Sequence, residues 1–378
     1  MFKTLFSLTD RIKKNYNIFQ NIIHLRKIKP KFLFYSENKN YQMFSYLLIE
    51  ALVKKYPKEV YYVSSYTDDK IKNLDVKNIF IGRGFLMNVF FLIIRAQNLF
   101  LTLTDLDNHV VKKTKNVDKY IYYFHGAVST TKVYTATAFD NYDIILCNGD
   151  YHLDEIRKRE SIKKIKKKKL IKTGYFYFDY LNDKISTETQ AKEILIAPSW
   201  NYNQKNFINE NLEEIIQSVL NKGFTVKFRP HPESFKRSMI IINSLKNKFS
   251  NEKFILDETS ENLNSMENAK CLITDSSGIA IEFVLLFKRP VLYFDDNEKI
   301  HNTEFKDYND LITMDQKVKE TFGYTFRKGD IKDLDTLINK SILEFKNKDI
   351  KIKDFIDNNF YNYGSTIKSF NNFITKDL

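Results

Sequence analysis

Three short polar clusters follow strand-like runs in this chain, and their side chains are of the kinds that bind anions or accept protons. They are FHG at residues 124–126, RPHP at residues 229–232 and TDSSG at residues 274–278. Imidazole titrates near neutral pH and suits a general base. Guanidinium groups and the N–H groups at a helix start bind phosphate. The clusters therefore predict a site for a phosphorylated substrate.

The TDSSG cluster precedes an apolar run at residues 279–287, which is typical of a buried helix. Together with Asp275 and Gly278, the hydroxyls of Ser276 and Ser277 would surround the start of that helix and form a phosphate cradle. An ordinary helix cap, in which Asp275 or Ser276 satisfies the helix itself, fits the local pattern equally well.

Glu282 is the one charged residue within that apolar run. At about one and a half turns into the helix, its carboxylate lies on a face next to the cradle. There it would accept hydrogen bonds from both hydroxyls of a ribose. The alternatives are an ion pair with a buried Arg or Lys, or a side chain that reaches solvent at a helix edge.

Histidines occur in the other two clusters. Two prolines stiffen the loop of Arg229 and His231, so that it would hold a guanidinium and an imidazole against a phosphate; a rigid connection with exposed polar side chains is the alternative. His125 ends the run KYIYYFHG, where Gly126 lets the backbone turn tightly or a ligand approach. A histidine at a strand end is also often only a hydrogen-bonded structural residue.

Strand-like and helix-like runs alternate along the chain, as in parallel sheets wrapped by helices. In the first half the strand-like runs begin at Lys31, Val60, Asn98, Tyr120 and Asp143. In the second half they begin at Ile194, Thr225, Lys253, Lys270 and Pro290. The polar stretch at 182–192 lacks apolar periodicity and separates the halves. We expect two α/β domains that face each other across a cleft.

The composition favours a folded protein with an anionic partner, since the 378 residues have a net charge of +13 and 43% are hydrophobic. Cys147 and Cys271 lie in apolar runs, as buried thiols do in a reducing compartment. The start of the chain lacks a secretory signal. The most apolar segment, at 84–94, is too short for a membrane span and predicts a helix followed by a strand. These features predict a cytoplasmic protein.

Basic segments suggest where an anionic partner would bind. The run at 157–172 (RKRESIKKIKKKKLIK), which leads into a strand at Leu170, is either a solvated helix face or a patch for anionic lipid or a polyphosphate acceptor. Near the N-terminus, basic residues alternate with Phe2, Leu5, Phe6, Ile12 and Ile18. That pattern predicts a peripheral contact with anionic membrane, or a helix docked on the protein. No nucleic-acid motif is present, so nucleic acid is not an expected partner.

Taken in order, six segments resemble those of the CDP-glycerol glycerophosphotransferase family, the teichoic-acid and capsule polymerases. They are FHG (124–126), AFDNYDIILCNGDYHLDEI (138–156), TGYFYFDYL (173–181), ILIAPSW (194–200), FRPHP (228–232) and TDSSGIAIEF (274–283). The resemblance implies a GT-B-like α/β fold with two Rossmann-like, doubly wound domains. It further implies transfer of glycerol phosphate from CDP-glycerol to a hydroxyl of a cell-surface polysaccharide, a lipid-linked chain or a teichoic-acid-like polymer, with release of CMP.

The same resemblance assigns roles to individual residues. His125 would be the base that takes the proton of the acceptor hydroxyl, and His231 would be a second catalytic histidine that contacts the donor pyrophosphate with Arg229. The TDSSG segment would bind the donor phosphates, and Glu282 would bind the ribose. We expect in-line attack on the phosphorus nearest glycerol, without a metal or another cofactor.

The expected domains are an N-terminal acceptor domain at 1–181, a linker at 182–192, a nucleotide-donor domain at 193–345 and a C-terminal helical segment at 346–378. The element at 174–179 lacks a proline and an arginine that are common in the family, which leaves another CDP-polyol or a nucleotide sugar as alternative donors. A GT-B glycosyltransferase or a UDP-sugar epimerase is the alternative function, because the TDSSGIAIE segment also resembles the ribose-binding motif of those epimerases.

Overall fold

The protein is described by a computed structural model at residues 2–108, 111–186, 190–200, 211–250, 253–295 and 299–378, with side chains from residue 12 onward. The chain divides into two compact units. The first unit consists of Met1–His125, Thr137–Tyr180 and Tyr361–Leu378, and the second of Gly126–Ala136 and Leu181–Phe360. His125 therefore ends the main segment of the first unit, and the residues directly after it belong to the second.

Seven strands form the sheet of the first unit in the part of the chain that is described. They are β1 (Phe32–Ser36), β2 (Val60–Ser64), β3 (Lys77–Phe80), β4 (Ala96–Leu101), β5 (Val117–Tyr123), β6 (Ile144–Cys147) and β7 (Lys169–Lys172). All are parallel, in the order β3-β2-β1-β4-β5-β6-β7. In register, Phe34 of β1 lies beside Phe100 of β4, and their rings stack with centroids 4.4 Å apart. The aromatic, β-branched runs thus form the core of the sheet.

The second unit has a sheet of six parallel strands within the described residues. They are β8 (Glu193–Ile196), β9 (Thr225–Phe228), β10 (Phe254–Leu256), β11 (Ala269–Thr274), β12 (Val291–Phe294) and β13 (Gly323–Phe326). Their order is β10-β9-β8-β11-β12-β13. The order of each sheet reverses beside its first strand, between β1 and β4 and between β8 and β11. Such switch points are where doubly wound sheets bind ligands.

Helices connect the strands. In chain order they are α1 (Phe2–Ile28), α2 (Gln42–Lys55), α3 (Phe85–Ile93), α4 (Thr130–Val133), α5 (Asp150–Lys163), α6 (Phe176–Asn182), α7 (Leu212–Asn221), α8 (Pro232–Arg237), α9 (Met239–Lys248), α10 (Leu263–Asn268), α11 (Ile279–Phe287), α12 (Met314–Phe322), α13 (Leu334–Phe345), α14 (Asp349–Asn359) and α15 (Thr366–Asp377). The predicted α/β fold class is confirmed. The helix and strand expected from residue 84 are also confirmed, as α3 and β4.

The end of the chain packs on the first unit. Asp179, at the end of the TGYFYFD segment, accepts hydrogen bonds from the N–H groups of Gly364 and Thr366, each at 2.9 Å, and so holds the start of α15. Gly174 has a φ of +91°, and a Cβ there would lie 2.0 Å from the carbonyl oxygen of Tyr361. Only glycine allows this approach. The segment at 173–179 is thus a clamp for the C-terminal helix.

Candidate functional site

His125 lies just beyond the carboxyl end of β5, surrounded by aromatic rings of the first unit. Its imidazole meets the ring of Tyr41 edge-on at 5.1 Å and that of Phe44 at 6.0 Å. Phe44 packs in turn on Tyr177 at 4.6 Å. These rings come from the turn before α2, from α2 itself and from α6. The sequence predicted that His125 closes this strand, but β5 ends at Tyr123 and His125 lies two residues beyond it. The aromatic surroundings were not predicted.

Burial disfavours the protonated form of His125. Burial lowers the pKa of its imidazole to about 4, because an imidazolium loses its hydration among apolar groups. The side chain is therefore neutral at neutral pH and has a nitrogen lone pair that accepts a proton. A neutral imidazole at a strand end suits a general base that acts on an incoming hydroxyl.

His152 shows what a purely structural histidine looks like in the same unit. Its ring is fully buried and stacks on Phe124 with centroids 3.7 Å apart. Its Nδ1 accepts a hydrogen bond from the backbone N–H of Asn148 at 3.3 Å. His152 thus packs in the core beneath β5, whereas His125 lies at the edge where ligands bind.

In the second unit, Asp275 joins the ends of the two strands that flank the switch point. Its carboxylate accepts hydrogen bonds from the N–H and the hydroxyl of Ser199, at 2.8 Å and 2.7 Å. Ser199 follows β8 and Asp275 follows β11. The hydroxyl of Thr274 adds a bond to the carbonyl oxygen of Ala197 at 2.7 Å. These contacts fix both loops at the carboxyl edge of the sheet.

The rest of the TDSSG segment leads into α11. Gly278 is the N-cap residue, and no side chain caps the helix there. The hydroxyls of Ser276 and Ser277 form no hydrogen bond within the described residues, and the Oγ of Ser276 is buried. A Cβ at Gly278 would lie 2.9 Å from a methyl of Val128. The carboxylate of Asp275 and the hydroxyl of Ser276 therefore do not act as the ordinary cap, and two hydroxyl groups lie beside the helix start.

Glu282 lies in the first turn of α11 and its side chain is buried. The adjacent residues Ile281 and Phe283 are core residues. The solvated helix edge, one of the alternatives open from the sequence, is thus not adopted. A buried carboxylate close to a helix N-terminus is favoured by the helix dipole.

Arg229 follows β9 and contacts the loop after β10. Its Nη1 donates to Asp257 at 2.5 Å and to Thr259 at 3.2 Å, and its Nη2 donates to the carbonyl oxygen of Ser260 at 3.5 Å. Burial alone would raise the pKa of Asp257, but hydrogen bonds from Ser265 and Thr259 and the charge of Arg229 outweigh burial and hold that pKa below its ordinary value. Arg229 is therefore held in one orientation.

His231 is the N-cap residue of α8, where its Nδ1 accepts a hydrogen bond from the backbone N–H of Glu233 at 3.1 Å. Because Nδ1 is the acceptor, the ring proton of the neutral imidazole is on Nε2. The edge of the ring that does not face α8 is thus a hydrogen-bond donor. Arg229 and His231 both follow β9, at the same edge of the sheet as the TDSSG segment.

Sequence reasoning missed a group of basic side chains around Trp200, which follows Ser199. Measured to the indole, Lys299 lies at 5.2 Å, Arg237 at 5.3 Å, His301 at 5.5 Å and His231 at 5.9 Å. Trp200 belongs to the quoted segment ILIAPSW and His231 to the quoted segment FRPHP, but nothing in the sequence links Trp200 to Arg237, Lys299 or His301. We call these five residues the tryptophan cluster.

The two carboxylates of the sequence TDLD at 104–107 fit either a metal site or a turn. Asp105 and Asp107 have φ values of +60° and +67°, as turn residues do, and Asp105 accepts a hydrogen bond from Thr137 at 3.0 Å. Within the described residues, no group of three or more His, Cys, Asp or Glu side chains is arranged to hold a metal ion. A search of the same residues for a helix with the length and apolarity of a membrane span gives none.

The comparison with protein families identifies the chain. The model of the CDP-glycerol:poly(glycerophosphate) glycerophosphotransferases matches residues 18–315, well over half of its length. The chain belongs to this family. It is a transferase that moves glycerol phosphate from CDP-glycerol to a polymer, as the six quoted segments suggested. A sequence search of the curated proteins finds no match.

Solved structures with the same fold include the wall teichoic acid polymerase TagF, at a TM-score of 0.60 and 17% identity over 99% of this chain and 96% of that one. The UDP-GlcNAc 2-epimerase of Methanocaldococcus jannaschii is similar at a TM-score of 0.59 and 14% identity, over 91% of this chain and 99% of that one. At these identities the likeness concerns the fold alone. It confirms the GT-B-like class for this glycerophosphotransferase and does not favour epimerase activity.

Proposed function

We propose that the polymer extended by this glycerophosphotransferase is a teichoic-acid-like polymer of the cell surface, and that His125 is the base for its terminal hydroxyl. The observation that supports the role of His125 most is the position of its imidazole at the carboxyl end of β5, where parallel sheets bind ligands. A side chain that is unprotonated at neutral pH and lies at a ligand-binding edge is ready to accept a proton.

The reaction follows from these roles. The acceptor oxygen attacks the phosphorus nearest glycerol while its proton moves to His125. A new P–O bond joins glycerol phosphate to the polymer, and the bond between that phosphorus and the bridging oxygen breaks. The electron pair of the broken bond leaves with CMP, whose phosphate needs no added proton. Catalysis then depends on positioning and on cationic and N–H donors around the two phosphates.

Donor binding is assigned to the second unit. A guanidinium has five N–H donors, and the described contacts of Arg229 use three of them, so two are available to a phosphate. His231 supplies Nε2–H, and the hydroxyls of Ser276 and Ser277 with the start of α11 supply further donors. Glu282 accepts from the ribose hydroxyls. Asp275 acts through Ser199, as a positioning residue.

An acceptor comparison tests the proposal. Purified protein is mixed with CDP-glycerol and with either poly(glycerophosphate) chains or a neutral polysaccharide, and CMP release and polymer length are measured. We expect CMP release and chain extension with poly(glycerophosphate). Equal CMP release with the neutral polysaccharide would contradict the proposed acceptor. In a parallel reaction with UDP-GlcNAc in place of CDP-glycerol, release of UDP would contradict CDP-glycerol as the donor.

We further propose that the enzyme works at the inner face of the cytoplasmic membrane, through α1 and α3. Ile18, Ile22 and Leu25 of α1 are buried, so one face of the helix packs on the unit. Another face exposes Ile12, Tyr16 and Phe19, and Lys13 next to it is exposed as well. Phe85 and Leu92 of α3, a helix that contacts α1, are also exposed. An apolar face with a flanking lysine suits an anionic lipid surface. Residues 2–11, which complete the predicted pattern, lie outside the described side chains.

Vesicle co-sedimentation tests this location. The double variant Ile12→Ser, Phe85→Ser is compared with Ile240→Ser, which changes a residue of the second unit that is 87% exposed. We expect the double variant to lose binding to phosphatidylglycerol vesicles at low salt and Ile240→Ser to keep it. Equal binding of both variants would remove α1 and α3 as the contact.

A further inference from the structure

Among the described residues, no contact neutralises the ammonium of Lys299 in the tryptophan cluster. Within the described residues, the ammonium of Lys299 forms no hydrogen bond and no ion pair within 4 Å, and its near contact is the indole of Trp200 at 5.2 Å. Burial lowers the pKa of Lys299 to about 8, against the fields of Asp275 and Asp315. A desolvated ammonium without a hydrogen-bond acceptor is costly, and an anionic ligand removes that cost.

The neighbouring carboxylates are engaged elsewhere. Asp275 accepts both hydrogen bonds from Ser199, and Asp315 accepts the backbone N–H of Ser129 at 3.1 Å. Both bring negative charge that keeps Lys299 ionised, but neither contacts its ammonium. Among the described residues, the three N–H donors of the ammonium thus have no acceptor.

The loop of Lys299 is also fixed in place. The N–H groups of His301 and Asn302 donate to the carbonyl oxygen of Lys132, at 2.8 Å and 3.0 Å, and the side chain of Asn302 donates to the carbonyl oxygen of Thr131 at 2.8 Å. The loop follows β12, whereas Trp200 follows β8. Both therefore lie at the carboxyl edge of the sheet, beside the switch point where α11 begins.

We propose that Lys299, held against Trp200, binds a phosphate oxygen of the nucleotide donor as a further member of the donor site. This inference rests on the proposed function and adds to it a residue from a different loop. Trp200 orients the ammonium through its ring face, and the phosphate draws the ammonium partly away from the ring. His301 is neutral at neutral pH, since burial lowers its pKa to about 4, so Lys299 is the cation that this loop contributes.

The chain provides a fluorescent reporter of ligand binding, Trp200, and a matched control residue for Lys299. Trp200 is the single tryptophan of the sequence, so its fluorescence changes when a ligand alters the position of Lys299. Lys270 is a matched control, because it also lies over an aromatic ring, Phe224 at 4.4 Å, and burial also lowers its pKa. It belongs to the amino end of β11, at the opposite edge of the sheet.

The experiment titrates wild type, Lys299→Met, Lys299→Arg and Lys270→Met with CDP-glycerol and, separately, with inorganic pyrophosphate, after circular dichroism has shown that each is folded. We expect Lys299→Met to weaken both affinities by about 10- to 100-fold, the range for a hydrogen bond to a charged group. Lys299→Arg should restore most of the affinity, and Lys270→Met should bind like wild type. Equal affinities for Lys299→Met and Lys270→Met would overturn the inference.

Two further outcomes separate this inference from the proposed function. If wild type binds pyrophosphate through Lys299 but not CDP-glycerol, the anion site stands and the proposed donor fails. If wild type binds neither ligand, both fail.

A pH series sharpens the test. The charged groups that face Lys299 in the described structure are Asp275, Asp315 and, when protonated, His301. The ammonium is charged below its pKa, so raising the pH from about 7 to about 9 removes the charge and weakens binding of the fixed diphosphate of CDP-glycerol. Arginine stays charged over this range, so Lys299→Arg should bind independently of pH. A wild type whose affinity is as constant as that of Lys299→Arg would contradict the proposal.

Discussion

The carboxyl edges of the two sheets carry different kinds of side chain. At the end of β5, aromatic rings surround His125 and hold its imidazole neutral. At the ends of β8, β9 and β11, hydroxyl groups, an oriented guanidinium and basic side chains around an indole lie together. The first edge therefore suits acceptance of a proton, and the second suits binding of an anion.

The difference shows how one fold serves two tasks. Desolvation disfavours the charged form of an isolated imidazole, so apolar neighbours are enough to keep a base unprotonated. Binding a diphosphate instead needs charges and donors that are already oriented, as the contact of Arg229 with Asp257 orients the guanidinium. If this division holds, changes at the first edge reduce the rate of transfer, and changes at the second reduce donor affinity.

The largest expected effect is that of His125→Ala. Removal of a general base lowers the turnover rate by about 10²- to 10⁴-fold, while the dissociation constant of CDP-glycerol, measured by calorimetry, should stay within about twofold of wild type because the donor site is unchanged. As a control, His152→Ala should lower the melting temperature, since its ring is buried in the core. Full activity in folded His125→Ala would break the comparison.

Arg229→Met should cost both stability and donor affinity. In the variant, the carboxylate of Asp257 stays buried but loses the guanidinium that pairs with it. Breaking such a buried pair costs about 3–5 kcal/mol of stability. Urea denaturation and calorimetry with CDP-glycerol measure the two effects. Lys319→Met is the matched control: its ion pair with Asp295 is partly exposed, so its removal should cost at most about 1 kcal/mol and leave donor affinity unchanged. If Arg229→Met binds the donor like wild type, the arginine is only a structural contact.

Glu282→Gln sharpens the comparison within the second unit. A carboxylate that accepts from a ribose contributes about 1.5–3 kcal/mol, so the variant should bind CDP-glycerol about 10- to 100-fold more weakly. The 2′-deoxy form of the donor lacks one ribose hydroxyl. Comparing it with the ribose form therefore distinguishes a contact of Glu282 with the ribose from an effect of Glu282 on the packing of α11. Wild type should prefer the ribose form, and Glu282→Gln should lose that preference. An unchanged preference in the variant would remove Glu282 from the ribose site.

The effect expected only at low pH is the dependence of stability on His125. An unfolded imidazole has a pKa of about 6.5, and the folded one about 4. Between these values the unfolded state binds more protons, so stability falls as the pH falls from about 6.5 to about 4. His125→Phe removes this group and keeps an aromatic ring. As the pH is lowered, the free energy of unfolding of His125→Phe should therefore rise relative to that of wild type. If the difference between the two free energies stays constant with pH, the pKa of His125 is not lowered.

Much of the fold follows from the sequence. All ten strand-like runs became strands, because most of their apolar and β-branched residues are buried in parallel sheets; β10 is the partly exposed exception. The strand at Leu170 also formed, as β7. The edge strands β3 and β13 were missed, since Lys77–Phe80 and Gly323–Phe326 are short, partly exposed and without a clear apolar pattern. Such an edge strand forms because it pairs with its single neighbouring strand, and the local sequence does not show that pairing.

The candidate site, like the fold, could be predicted from the sequence only in part. The positions of His125, Arg229 and the TDSSG segment at strand ends could be predicted, because strand ends are visible in the pattern of apolar residues. The tryptophan cluster could not, since Lys299 and Trp200 meet only through the order of β8 and β12 in the sheet. The clamp of Gly174 and Asp179 on the C-terminal helix likewise depends on residues far apart in the chain.

The most direct test of the account is a single-turnover reaction of CDP-glycerol with poly(glycerophosphate), in which CMP release and polymer extension are followed together. Wild type should release one CMP for each glycerol phosphate added. Lys299→Met should need a higher donor concentration for transfer, and His125→Ala should bind the donor without transfer. CMP release by His125→Ala at the wild-type rate would contradict the division of roles between the two sheet edges.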